Sequence, residues 1–188
     1  MKIVFARHGE TDWNAQRLIQ GHHDIPLNDN GRKQAAELAE LVVAHRIAHA
    51  FCSDLERAHE TARIVAEQSG VPTTVDARLR ECHYGSLDGQ PYSIGRELDA
   101  HYPKNHPNWH DPLECDFSEL GGETGKALFA RQLAALHDIH AKHPDETVLI
   151  VGHGRSLRVL LHGIGQSQEH FGNCAHFVVP FDAKDFPL

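Results

Sequence analysis

Two short apolar segments, each followed by a histidine and a glycine, constrain the fold of this chain most. Residues 3–6 lead directly into Arg-His-Gly at 7–9, and residues 148–151 lead into Gly-His-Gly at 152–154. Runs of this length without polar alternation are typical of strands buried on both faces of a parallel sheet. Ligands of such sheets bind just beyond the carboxyl ends of the strands. His8 and His153 therefore face each other if the two strands are neighbours.

Strand-like and helix-like segments alternate along the rest of the chain. This alternation predicts a three-layer α/β/α fold with a mostly parallel central sheet. The predicted strands are residues 2–6, 48–52, 72–75, 148–151 and 176–179, and the predicted helices are residues 30–45, 55–69, 124–143 and 154–162.

The length of 188 residues, 40% of them apolar, predicts one domain over residues 1–188. We find no internal repeat and no linker. Residues 80–122 lack sustained periodicity, and unpatterned segments this long are usually functional. We therefore expect residues 90–122 to form an irregular insertion that faces the substrate.

Composition argues against several partners. The formal charge of −8 disfavours nucleic acid. The four cysteines lack paired spacing, and no apolar segment is long enough for a signal peptide or a membrane span, so we expect reduced thiols, no membrane partner and a cytoplasmic location. The seventeen histidines are scattered rather than set at metal-ligand spacings, so we predict no metal site, with a zinc hydrolase as an open alternative.

The residues at the strand ends suit a phosphoryl group. An arginine fork matches phosphate oxygens, and an unprotonated imidazole can attack phosphorus while a second, protonated imidazole stabilises the oxygens. Arg57 lies in the first turn of a predicted helix, where a cation gains nothing from the helix dipole. This position favours an anionic ligand over a surface salt bridge. Glu81, or alternatively Asp88, is the candidate acid that protonates the leaving group.

Taken together, these residues resemble the histidine phosphatase superfamily, also called the phosphoglycerate mutase-like family. The resemblance covers nearly the whole chain and rests on ordered motifs, which are Arg-His-Gly-Glu-Thr-Asp-Trp-Asn at 7–14, Gln-Gly at 20–21, Asp-Ile-Pro-Leu at 24–27, Ser-Asp-Leu-Glu-Arg-Ala at 53–58, Glu81 with Gly85, Gly-Gly-Glu-Thr at 121–124 and Val-Gly-His-Gly at 151–154.

The resemblance implies a role for each site residue. It implies that His8 is the nucleophile and becomes transiently phosphorylated, and that Glu81 acts as the acid and then as the base for water. The implied phosphate pocket is formed by Arg7, Arg57 and His153 and is lined by Asn14, Gln20 and Gly21. It also implies that neither a metal nor another cofactor is needed.

Phosphatases and mutases of this family differ in the residues that follow the catalytic acid. Tyr84 lies where mutases contact substrate, but the lysine and the arginine pair that mutases carry further on are missing. The chain is also shorter than typical mutases. We therefore predict a phosphomonoesterase acting on small-metabolite phosphate esters, with mutase-type transfer and a low-turnover phospho-ligand-binding module as alternatives.

Two smaller predictions complete the sequence reading. Arg155, next to Gly154, is interpreted either as a cation at the pocket rim that favours substrates with a second negative group, or as a helix arginine that points to solvent. The final strand, around residues 177–179, is interpreted as an exposed edge. The protein is accordingly expected to be a monomer or a homodimer.

Overall fold

A computed structural model describes residues 1–94, 111–168 and 171–188. Within these residues, five strands form one sheet in the order β3-β2-β4-β1-β5. Only β5 is antiparallel, and it pairs with β1 at one edge. The mostly parallel sheet is confirmed. The strands are β1 (Lys2–Arg7), β2 (His49–Cys52), β3 (Thr73–Val75), β4 (Thr147–Gly152) and β5 (His176–Pro180).

Helices cover both faces of the sheet, as the three-layer prediction requires. Ile3 and Phe5 of β1 pack in one apolar cluster with α4 and α5, whereas Val4 and Ala6 pack in another with α2 and α3. Alternate residues of a strand point to opposite faces, so every residue of this run is buried. The α-helices of the described residues are α1 (Asp12–Ala15), α2 (Asp29–Val42), α3 (Glu56–Ser69), α4 (Gly125–Lys142) and α5 (Gly154–Gly163).

Two local features differ from the prediction. The α2 helix ends at Val42 and residues Val43–His45 form a 3₁₀ turn. Helical structure stops there because Arg46 adopts a left-handed conformation, with a φ of +51°. The short helix α1 was not predicted. It forms because Thr11 and Asn14 cap its first turn reciprocally, the Thr11 hydroxyl accepting from the Asn14 backbone and the Asn14 side chain accepting from the Thr11 backbone.

The sheet register brings the two histidine-bearing strand ends together. In the parallel pair of β1 and β4, Arg7 lies opposite Gly152. The backbone N–H of His8 donates to the Gly152 carbonyl at 3.0 Å. His8 and His153 thus leave the sheet side by side at its carboxyl edge, as the strand pattern predicted.

The stretch predicted to be irregular lies partly outside the described residues, which stop at Ile94 and resume at Asp111. Its first part pairs with the loop after α1. The Ile19 N–H donates to the Gln90 carbonyl at 2.8 Å, and the Tyr92 N–H donates to the Arg17 carbonyl at 2.9 Å. These bonds fix Tyr92 beside the carboxyl edge of the sheet. In the three described ranges, no helix combines the length and the apolar character that crossing a membrane requires.

Candidate active site

His8 is buried at the end of β1, with 2% of its surface exposed. Its Nδ1 lies 2.7 Å from the carbonyl of Gly9. A carbonyl only accepts hydrogen bonds, so Nδ1 carries the proton and Nε2 keeps a free lone pair. Burial, followed by the charges of Arg57 and Arg7, holds the pKa of His8 well below its ordinary value. The neutral, nucleophilic imidazole is therefore the favoured form.

The turn after His8 depends on a close approach between two backbone segments. A Cβ on Gly9 would lie 2.4 Å from the Gly31 carbonyl oxygen. The Gly9 N–H donates to Thr61 Oγ1 at 3.0 Å, and the Thr61 hydroxyl in turn donates to the Arg57 carbonyl at 2.7 Å. This chain of contacts fixes the His8 turn against the first turns of α2 and α3.

His153 lies next to His8. The two ring centroids are 5.1 Å apart with an interplanar angle of 59°. His153 is fully buried, and neither of its ring nitrogens has a hydrogen-bond partner among the described residues. Burial, followed by the positive charge of Arg57, lowers its pKa, so the ring is neutral until a negative group arrives. A phosphate opposes these effects and favours the protonated form that the sequence analysis assumed.

Two arginines converge on the same pair of histidines. Arg57 is fully buried, which excludes the surface salt bridge considered from its sequence position. Its two terminal nitrogens donate to the carbonyls of His23 at 2.7 Å and Gly21 at 2.9 Å, and burial lowers its pKa to about 10. Arg7 Nη1 donates to the Phe171 carbonyl at 2.6 Å. Both guanidinium groups are thus held in place by the backbone.

Four buried nitrogen atoms at this site have no protein partner among the described residues. They are Arg7 Nε, Arg57 Nε and both ring nitrogens of His153. An unsatisfied buried polar group costs about 1–3 kcal/mol, so several in one place indicate a ligand that accepts hydrogen bonds. An anion of several oxygen atoms, such as phosphate, meets this requirement.

Glu81 is the carboxylate of the pocket. Its Oε1 accepts hydrogen bonds from the backbone N–H groups of Ser156 at 2.8 Å and Cys82 at 2.9 Å, and its Oε2 accepts from Arg155 at 3.2 Å. Two of these donors belong to the first turn of α5, where N–H groups lack helical partners. Glu81 is therefore oriented by the same helix that follows His153.

The backbone of Glu81 is held from the opposite side. Arg131 of α4 donates to the carbonyls of Arg78 at 2.7 Å, Arg80 at 3.0 Å and Glu81 at 2.8 Å. Its Nη2 also lies 2.7 Å from Glu123 Oε1, which accepts the His83 N–H at 2.9 Å. This ion pair, the Arg131–Glu123 clamp, fixes the segment that carries Glu81.

The remaining predicted residues divide between two spaces. The first, the inner pocket, has a volume of about 30 Å³ and is lined by Arg7, His8, Arg57 and Glu81 together with Gln20, Gly21, Tyr84, Ile19 and Tyr92. Gly21 has a φ of +47°, and a Cβ there would lie 1.8 Å from Asp88 Oδ1. Asp88 thus lies behind Gly21, and Glu81 is the carboxylate that faces His8.

The second space, the outer cavity, adjoins the inner pocket through Arg7 and Tyr92 and has a volume of about 600 Å³. Asn14 lines this cavity and not the inner pocket, and its Oδ1 accepts from Asn173 Nδ2 at 3.2 Å. The other described residues that line it are Gln16, Arg17, Pro91, Ser93 and Asn173.

Arg155 points neither to solvent nor into the described linings of these two spaces. It is partly buried, and its guanidinium carbon lies 5.8 Å from the centre of the Phe117 ring. Burial opposes the charged form of Arg155, but its pKa is raised overall, and a hydrogen bond with Tyr84 contributes to the rise. The side chain is thus packed behind Tyr84, and the solvent-pointing alternative is wrong.

Sequence reasoning missed several residues around the two spaces. Asn173 donates to the His8 carbonyl at 3.1 Å, and Tyr92 lines both spaces. Arg17 and Arg131 were also missed, and Glu123 was noted only as part of the Gly-Gly-Glu-Thr motif, without a role. None of them follows a buried strand, so the strand-end pattern could not identify their roles. Among the described residues, no group of three or more His, Cys, Asp or Glu side chains is arranged to hold a metal ion.

Fold and pocket together define an α/β enzyme that acts on phosphate esters at the carboxyl edge of a parallel sheet. Residues 3–185 match the family model of the histidine phosphatase superfamily (branch 1). The chain belongs to this superfamily, which confirms the resemblance found in the sequence.

Curated relatives include both phosphatases and mutase-like proteins. Phosphoglycerate mutase-like protein 4 of Arabidopsis thaliana is 40% identical over 85% of this chain and 69% of that protein. The metal-independent phosphoserine phosphatase of the same plant is 37% identical over 88% of this chain and 69% of its own length. Glucosyl-3-phosphoglycerate phosphatase of Mycolicibacterium vanbaalenii is 33% identical, with coverages of 85% and 72%.

Solved structures give the same result. A protein described as mycobacterial hydrolase 1 superposes with a TM-score of 0.82 at 28% identity, over 94% of this chain and 89% of that one. Mycobacterial glucosyl-3-phosphoglycerate phosphatase in complex with VO3 superposes with a TM-score of 0.81 at 29% identity, with coverages of 94% and 90%. The family and these relatives support a hydrolase of the phosphatase type.

Proposed function

We propose that this protein is a metal-independent phosphomonoesterase that transfers the phosphoryl group of a small metabolite to His8 and then to water. The observation that carries the proposal is the hydrogen bond from His8 Nδ1 to Gly9, at 2.7 Å. It leaves Nε2 as the nucleophile in a pocket that two arginines and a carboxylate also line, with the His153 ring next to that of His8. Preset donors around the transferring group are the main requirement of phosphoryl transfer.

In the first step, Nε2 of His8 attacks phosphorus, and the bond from phosphorus to the ester oxygen breaks. The Nε groups of Arg7 and Arg57 and the ring of His153 stabilise the oxygens of the transferring phosphoryl group. Glu81 donates a proton to the leaving alcohol. In the second step, Glu81 takes a proton from a water molecule that attacks phosphohistidine, and inorganic phosphate leaves. Glu81 is therefore protonated at the start of the first step and ionised at the start of the second step.

Hydrolysis is favoured over mutase-type transfer by the exposure of the outer cavity. Gln16, Arg17 and Tyr92 line it and are exposed, with 51% of the Tyr92 surface accessible. A mutase must keep water away from phosphohistidine, whereas this cavity admits it. We further propose that the cavity-lining residues 91–93 belong to a substrate-facing insertion. The substrate is a small-molecule phosphate ester, and relatives named for phosphoserine and for glucosyl-3-phosphoglycerate make such esters the first to assay.

The test is hydrolysis of p-nitrophenyl phosphate by the wild type and by His8→Asn, which keeps a side-chain amide near Gly9. We expect steady hydrolysis that persists in EDTA and falls by about 10⁴-fold or more in the variant, because loss of a nucleophile removes the whole covalent route. Brief mixing with ³²P-labelled substrate, followed by an alkaline quench, should label only the wild type.

Four results would contradict the proposal. Loss of activity in EDTA would indicate a metal hydrolase, and full activity of His8→Asn would assign the nucleophile elsewhere. Tight phosphate binding without turnover in the wild type would indicate a phospho-ligand-binding module. Conversion of 3-phosphoglycerate to 2-phosphoglycerate faster than its hydrolysis would indicate a mutase.

A further inference from the structure

The outer cavity has a lining suited to an anion. Its described lining residues include two cations, Arg7 and Arg17, and no carboxylate. The others are three amides, two hydroxyl side chains and a proline. A volume of about 600 Å³ is in the range of small-molecule sites. The space is therefore large enough for the part of a phosphate ester that leaves as an alcohol.

Of the two cations in the described lining of this cavity, Arg17 is the one whose side chain has no partner among the described residues. Arg7 already donates to the Phe171 carbonyl at 2.6 Å. The Arg17 side chain is exposed and makes no hydrogen bond or ion pair within the described residues. By contrast, ion pairs of 2.6–2.7 Å to a carboxylate are formed by Arg32, Arg63, Arg78 and Arg80.

The backbone of Arg17 is held so that this side chain stays at the cavity. Its φ is +58°, a left-handed conformation that is unfavourable for a residue other than glycine. The conformation is kept by hydrogen bonds on either side, from the Tyr92 N–H to the Arg17 carbonyl at 2.9 Å and from the Leu18 N–H to the Trp13 carbonyl at 2.8 Å. Backbone strain maintained by neighbouring contacts is typical of functional positions.

We propose that Arg17 determines specificity by binding a second anionic group, a carboxylate or a second phosphate, on the leaving group of the substrate. The scissile phosphoryl group lies in the inner pocket, and the leaving group extends past Arg7 and Tyr92 into the outer cavity. This rests on the proposed phosphomonoesterase function. The sequence suggested this role for Arg155, but that side chain packs against Phe117 and is absent from the described lining of the outer cavity.

The experiment compares kcat/KM of wild type and Arg17→Gln on three esters. These are 3-phosphoglycerate with a carboxylate, fructose 1,6-bisphosphate with a second phosphate, and p-nitrophenyl phosphate with neither. We expect a loss of at least tenfold, mainly through KM, on one or both of the first two, and less than twofold on the third, since charged hydrogen bonds are the strong ones. The larger loss identifies which anion is bound. Arg17→Lys should recover part of it.

Arg46→Gln is the matched control. Arg46 is also exposed and also has a positive φ of +51°, but it precedes β2 at the opposite edge of the sheet. It should leave all three kcat/KM values unchanged.

If Arg17→Gln lowers kcat/KM equally on all three esters, or lowers it on none, the role of Arg17 is overturned. If the wild type hydrolyses none of them, the phosphomonoesterase function fails instead. The role of Arg17 is then judged by binding. A thermal shift by 3-phosphoglycerate or fructose 1,6-bisphosphate that Arg17→Gln does not diminish would overturn it, whereas a shift diminished only in Arg17→Gln, and not in Arg46→Gln, would support it.

Discussion

The inner pocket and the outer cavity meet at Arg7 and Tyr92, yet they are built in different ways. In the inner pocket, His8, Arg57 and Glu81 are each tied to backbone groups by hydrogen bonds of 2.7–3.2 Å. In the outer cavity, Arg17 and Ser93 are exposed and come from loops. Rigid parts of the fold thus carry the reaction, and accessible side chains contact the rest of the substrate.

Because of this difference, substitutions in the two regions should have different effects on activity. A substitution in the inner pocket alters the reacting atoms and should affect every substrate, with a size that depends on the chemistry of the leaving group. A substitution in the outer cavity should affect only substrates that reach it. The choice of ester therefore distinguishes the two regions experimentally.

The largest effect after loss of His8 is expected for Glu81→Gln. The amide keeps an oxygen for the N–H groups of Cys82 and Ser156 but cannot donate a proton as an acid does. We expect kcat on 3-phosphoglycerate to fall by about 10²–10³-fold, within the usual range of general acid catalysis. The loss should be much smaller on p-nitrophenyl phosphate, whose phenolate leaves without protonation. Equal losses on both esters would show that Glu81 is not the acid.

A smaller effect is expected for Arg131→Gln, which breaks the Arg131–Glu123 clamp and frees the carbonyls beside Glu81. We expect kcat on 3-phosphoglycerate to fall by about tenfold, because misplacing a catalytic group is costly, with KM nearly unchanged. Arg131 acts through Glu81, so hydrolysis of p-nitrophenyl phosphate should fall less. Arg63→Gln, which removes the exposed pair with Glu67, is the control. If Arg131→Gln lowered both rates equally, or lowered only the unfolding temperature, a positioning role would be excluded.

The smallest effect is the pH dependence of stability. The folded-state pKa of His8 lies below its ordinary value of 6.5, so below pH 6.5 the unfolded chain binds more protons. Stability from the buried neutral ring is thus fully present above pH 6.5 and is lost as the pH falls toward the folded-state pKa. The free energy of unfolding should decrease by up to about 1.4 kcal/mol per pH unit more in wild type than in His8→Asn.

Denaturant unfolding at pH 7 and pH 5.5 measures this difference between the two proteins. Inorganic phosphate should reduce it, because the anion favours protonated His8 and His153 in the folded state. Identical slopes for wild type and His8→Asn would show that burial does not hold His8 neutral.

The parts of the molecule that could be predicted from the sequence are those with local signals. β1 and β4 are continuous apolar runs, and His8 and His153 follow them directly. The bounds of α3 and α4 were predicted within one residue because apolar periodicity, and in α4 the cap on Thr124, define them. Glu81 was identified because an aperiodic loop offered a carboxylate where an acid was needed.

The parts that could not be predicted depend on contacts between distant segments. Arg131 occupies an ordinary helix position, and only the packing of residues 78–83 against α4 brings three carbonyls to it. Arg17 faces the outer cavity because residues 17–19 pair with 89–92. The packing of Arg155 against Phe117 could not be predicted either, because residue 117 is distant in sequence. Loop sequences have no periodicity from which such contacts could be predicted.

The position of β1 in the sheet has a consequence for how the protein acquires its structure. β1 is the first strand of the chain, yet both of its neighbours, β4 and β5, come from the C-terminal part. Until those strands join β1, its apolar side chains are uncovered and both of its backbone edges lack hydrogen-bond partners. Joining requires the closure of a very long loop, which is a slow, non-local step. A chain shortened before β4 therefore exposes an aggregation-prone strand, and folding and catalytic competence arise together.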